Sequence, residues 1–89
     1  MAHSRTARKR IRQNERQAAH NRPIRTYTSR RVRDARDAIE SGDAGSAEAL
    51  RVAQSALDRA AKSGVIHPNT AARRKSRLAA ALNKAQAAS

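Results

Sequence analysis

Between Ala60 and Leu78 the chain reads AAKSGVIHPNTAARRKSRL, which holds a helix stop, a turn and a helix start followed by a burst of positive charge. Gly64 is free to take the left-handed conformation that ends a helix, and Val65 just beyond it is placed to contact Ala60, as a Schellman-type C-cap requires. Pro68 suits the first position of a new helix, where its missing N–H costs nothing, and Asn69 is an alternative N-cap one step later. Two helices joined by so short a turn must lie side by side and antiparallel. Within the second of them Ala71, Leu78, Leu82 and Ala85 share one side, while Arg73, Arg77 and Lys84 fall about 130° away at 100° per residue.

The rest of the chain supplies two more helices and no strand: alternation of apolar and polar residues never persists, and no repeat of useful period appears. Ile24, Val32, Ala35 and Ile39 recur at helical spacing, with Tyr27 and Ala38 at the edge of the stripe, and Gly42 is a natural C-cap. Asp43 or Ser46 can cap the next helix, whose apolar stripe is Leu50, Ala53, Leu57 and Ala60. The expected architecture is all-α: one domain over residues 1–89, an up-down-up three-helix bundle with an extended basic N-terminal helix. Its helices are expected at about 4–41, 45–63 and 68–86. Pro23 removes a hydrogen bond and crowds the carbonyl four residues back, so a kink or break is expected near residues 19–23.

Eighty-nine residues of which 21 are alanine leave a thin seam of larger apolar side chains, so such a chain is marginally stable alone. Its charge is the stronger constraint. Net +13 opposes compactness unless a polyanion supplies counter-charge. Residues 1–33 hold eleven Lys or Arg against one acid, residues 34–61 three against six, and residues 62–89 six against none. The ends are therefore expected to grip an anionic ligand, while the middle faces solvent or the partner helices.

In the first helix Arg5, Arg8, Lys9, Arg12, Arg16 and Arg22 cluster within roughly 140° on a helical projection, with Arg10 on the other side. Almost nothing apolar packs this segment, so ordering it is worthwhile only against a ligand. Further along, Arg25 and Arg30 are candidate contacts, and Arg33 points the same way as Arg30, with Asp34 and Asp37 able to pair locally with nearby arginines. The last helix offers Arg73, Arg74, Lys75, Arg77 and Lys84.

Enzymatic readings fail for lack of parts. His3, His20 and His67 are scattered, there is no metal-ligand or paired-carboxylate spacing, and no glycine-rich loop could cradle a nucleotide phosphate. No catalytic residue, metal site, cofactor or small-molecule substrate is expected. The absence of cysteine excludes a disulfide framework. No apolar run approaches the ~20 residues needed to span a bilayer, and alanine-dominated faces without Trp or Phe make a membrane-surface role poor. With Tyr27 as the single aromatic there is no platform for stacking successive bases, so nucleic acid would be recognised through phosphates and shape. Arginine outnumbers lysine sixteen to four, and its planar fork suits bidentate phosphate contacts. On these grounds alone, a nucleoid-type DNA-binding protein and an RNA-binding protein are equally served.

Three segments, ARKRIRQNERQAAHN at 7–21, AIESGD at 38–43 and GVIHPNTAARRKSRL at 64–78, resemble in register the bacterial family of small-subunit ribosomal protein number twenty. The likeness spans nearly the whole chain. It implies a three-helix constituent of the cytoplasmic small ribosomal subunit that binds 16S ribosomal RNA, supports assembly and forms no homo-oligomer. It also implies that His67 and Asn69, otherwise turn and capping residues, touch RNA. Pro23 departs from the family's usual residue, which puts the continuity of the first helix in question.

Overall fold

The computed structural model describes residues 5–88; the helix start expected at residue 4 lies outside them. Three helices follow one another, α1 over Arg5–Ser41, α2 over Ser46–Lys62 and α3 over Pro68–Ala88, and among the described residues there is no strand. The molecule is elongated, 63 × 20 × 20 Å with a radius of gyration of 17.6 Å, where a compact chain of this length has about 12 Å. The excess length is the first half of α1. From Arg8 to His20 every residue is exposed, giving a helical arm that projects about 25 Å beyond the bundle at 1.5 Å per residue.

Both interhelix turns are closed by the same device. Gly42 and Gly64 have φ of 70° and 80°, a conformation that costs glycine nothing. Gly64 N–H donates to Ala61 O at 3.1 Å and Val65 N–H to Ala60 O at 2.9 Å, while Gly42 N–H donates to Ile39 O at 3.3 Å and Asp43 N–H to Ala38 O at 3.0 Å. These are paired Schellman bonds, and Val65 and Ala60 are both buried beneath the second. The start of α2 differs from expectation: neither Asp43 nor Ser46 caps it. Gly45 occupies the cap position with no side-chain bond, and the Asp43 carboxylate instead accepts the Gly45 N–H at 2.7 Å. An Asx turn two residues upstream has taken up the side chain that would have capped the helix.

Of the kink or break expected near residues 19–23, the break does not occur: α1 runs through Pro23 as one helix. Proline has no N–H to give the Ala19 carbonyl, but Ala19 and Pro23 are both exposed residues, so the freed acceptor lies on the solvated part of the helix and not within the apolar seam. Immediately beyond, burial begins: Thr28, Val32, Ala35 and Ile39 form the inward stripe. Thr28 is polar and lies outside the stripe expected from apolar spacing; its hydroxyl donates to Ile24 O at 2.8 Å and is thereby satisfied.

The core joins Val32 and Ala35 of α1, Ala53 and Leu57 of α2, and Ala71 and Leu78 of α3, with Leu50 and Ile66 half-buried beside them. Alanine at so many contact positions lets the helix axes approach closely, and α1 packs most extensively on α2 while the α1–α3 contact is the thinnest. That imbalance leaves a groove open between α1 and α3. No helix among the described residues is long and apolar enough to cross a membrane.

Candidate nucleic-acid interface

Burial of Val32, Ile39 and Leu78 fixes how α1 and α3 are rotated, and the residues next to those positions on each helix surface are arginines. Arg33 and Arg36 on α1 and Arg74 and Arg77 on α3 line the groove between the two helices, above a floor that includes Val32, Ile39, Leu78 and Ala81. Each pair is spaced i, i+3, so its members are surface neighbours. The groove encloses about 570 Å3, and Glu40 is the only acid lining it. None of the four arginines makes an ion pair within the described residues. Four like charges converging on one carboxylate repel one another, an arrangement relieved by an anion with several oxygens.

The arm carries a second cationic face. Arg5, Arg8, Lys9, Arg12 and Arg16 border one hollow on α1 together with Gln13, as their helical spacing requires. Arg10 lies off this face, and Arg22, expected to continue it, belongs instead to the next hollow. There it stands with Arg25 among the amides of Asn14, Gln17 and Asn21. Arg30 is exposed and borders none of these hollows.

At the turn before α3 the Asn69 N–H donates to His67 Nδ1 at 3.0 Å and His67 O accepts from Ala71 N–H at 3.1 Å. His67 is therefore the N-cap of α3, and Asn69 is its second helical residue. Capping occupies Nδ1 and leaves Nε2 as the uncommitted ring nitrogen of an exposed residue. Lys75 is engaged elsewhere, donating to both oxygens of Asp58 on α2 at 2.9 and 3.1 Å. Arg73 and Lys84 are exposed but lie outside the arginine groove, so the pairing that lines it is Arg74 with Arg77, not Arg73 with Arg77. Sequence reasoning misses Arg36 altogether, because it sits in the acidic middle of the chain. Its signal is the spacing to Arg33, which places both beside the Val32 and Ile39 stripe.

Fold and surface define a class: small, strongly cationic helical bundles with an arginine-lined groove and a projecting basic arm. The family model described as Ribosomal protein S20 matches residues 2–83. The chain is 49% identical over 89 residues to the small ribosomal subunit protein bS20 of Roseiflexus sp. (strain RS-1), covering 100% of this chain and 98% of the relative. It is 45% identical over 85 residues to bS20 of Mycolicibacterium smegmatis, covering 94% and 99%, and 48% identical over 85 residues to bS20 of Coprothermobacter proteolyticus, covering 94% and 97%. The chain belongs to the ribosomal protein S20 family, a family of ribosomal structural proteins and not of enzymes.

Proposed function

We propose that this protein is a structural constituent of the small ribosomal subunit in the cytoplasm, and that it binds 16S ribosomal RNA directly through phosphate and shape contacts, supporting subunit assembly. The observation that carries the reading is the convergence of Arg33, Arg36, Arg74 and Arg77 on one groove with a single opposing carboxylate. Phosphates of an RNA strand would lie along that groove, with the arm's face from Arg5 to Arg16 engaging a second stretch of backbone. Such contacts fix register and orientation without reading sequence. The bundle's part is to hold the arginine-bearing backbone at fixed separation, so that the ordering entropy given up on binding is smaller than for a disordered basic tail.

Net charge of +13 would serve duplex DNA in the same way. The family relatives named for the small ribosomal subunit favour RNA. The experiment is competition between folded 16S ribosomal RNA and duplex DNA for the protein at equal salt. Preferential retention of the RNA is the expected result, and equal or stronger binding to DNA would overturn the assignment in favour of a nucleoid-type protein.

A further inference from the structure

Tyr27 is the only aromatic residue of the chain, and it is 48% exposed. The Arg31 guanidinium, one helical turn C-terminal, lies over the ring at 5.1 Å from its centroid and is paired to Asp34 at 3.2 Å. That covers one face of the ring. Tyr27 also lines an open hollow of about 400 Å3 between α1 and α2, together with Pro23, Ile24, Thr28, Ala56, Arg59 and Ser63. The two aliphatic hydroxyls of this lining are turned to backbone: Thr28 Oγ1 donates to Ile24 O at 2.8 Å and Ser63 Oγ to Arg59 O at 3.0 Å. Apart from Arg59 and the Tyr27 phenol, the side chains of the lining therefore offer a ligand apolar surface.

Arg59 makes no ion pair among the described residues, and its neighbours cannot supply one. Arg51 Nε donates to Glu48 Oε2 at 3.0 Å, an exposed pair that holds the Glu48 carboxyl below its ordinary range. Asp58 is bound by Lys75. An apolar slot with a π wall, backed by one guanidinium and fronted by another that is unpaired, matches a flat base joined to a phosphate. Aromatic faces accept any base, and Arg31 over the ring adds a cation beside a hollow whose lining contains no acid. We propose that the α1–α2 groove takes one unpaired nucleotide of the bound RNA, with its base against Tyr27 and its phosphate on Arg59.

This proposal rests on RNA being the ligand, and it adds a stacking contact on the side of α1 where α2 packs, away from the α1–α3 arginine groove. Biosynthetic 3-fluorotyrosine labels one position only, so its 19F resonance reports on this site alone. Saturation with folded 16S ribosomal RNA should shift the resonance, and the shift should shrink in Arg59→Gln. Tyr27→Leu should weaken RNA binding by roughly five- to 150-fold, the range found on removing a base–aromatic stack. Tyr27→Phe should bind like wild type. Tyr27→Leu should leave the salt dependence of affinity unchanged, since it removes no phosphate contact, whereas Arg59→Gln should lower the slope by about one. A resonance that does not move at saturation, or that moves only when other ribosomal proteins are added, overturns the proposal, as does wild-type affinity in Tyr27→Leu. Failure of the wild-type protein to bind the RNA at all would overturn the RNA assignment with it.

Discussion

Lys75 Nζ on α3 reaches across to both carboxylate oxygens of Asp58 on α2, at 2.9 and 3.1 Å. The bridge holds a cation that the sequence offers as a nucleic-acid contact, and it ties the two helices where Ala71 and Leu57 are buried. Lys75→Gln should therefore reduce RNA affinity less than Arg74→Gln does. As a partly exposed pair it contributes only about 0.2 to 1 kcal/mol, so a double-mutant cycle with Asp58→Asn on thermal stability should return a coupling energy in that range.

His67 separates two roles in one ring. Removing the cap in His67→Ala should destabilise the fold by about 0.5 to 2 kcal/mol, read as a fall in denaturation midpoint. His67→Asn keeps a capping acceptor and should restore the stability. If Nε2 touches RNA as the family likeness implies, the Asn variant should still bind more weakly than wild type, although it folds as well.

Pro23→Ala gives back the N–H that the Ala19 carbonyl lacks and removes a residue costing up to about 3 kcal/mol inside a helix. Hydrogen exchange of the free protein should then show greater protection between residues 16 and 24 than in wild type. In either protein the amides from Arg8 to Arg16 should exchange far faster than those from Ala53 to Ala60, because the arm is exposed throughout and α2 is buried along its inner face. Short helices without tertiary packing are marginal in water.

The core prediction concerns Leu57, the largest fully buried side chain. Leu57→Ala should cost about 2 to 5 kcal/mol, a large part of the stability available to so small a domain. Thermal melts should show the bundle strongly destabilised, with RNA affinity falling only as far as the folded fraction does.

Much of this fold is legible in the sequence because its punctuation is chemical. Gly64, Val65 and Pro68 specify a stop and a start by backbone conformation alone, and the structure places them as that chemistry demands. The apolar stripes follow from the helical period. What is not legible depends on which of two locally adequate solutions tertiary context selects. The Asp43 side chain is equally able to cap α2 or to close an Asx turn. Pro23 costs a helix one hydrogen bond and crowds the carbonyl four residues back; the lost bond is cheaper where Ala19 is exposed, and that exposure is not written in its neighbours. At the candidate interface the arm's cationic face is readable because it lies on one helix. The groove is not, because Arg36 and Arg74 come from different helices and meet only once Val32, Ile39 and Leu78 are buried.

The groove is the centre of the account, and salt-dependent titration of 16S ribosomal RNA with Arg74→Gln/Arg77→Gln tests it most directly. Both side chains stand outside the apolar seam, and glutamine is nearly as good a helix former, so the melting temperature should stay within a few degrees of wild type. Affinity should fall substantially, and the slope of log affinity against log salt should shrink by roughly one for each phosphate that is no longer neutralised. A folded double variant that binds with wild-type affinity and an unchanged salt slope would contradict the claim that this groove holds the RNA backbone.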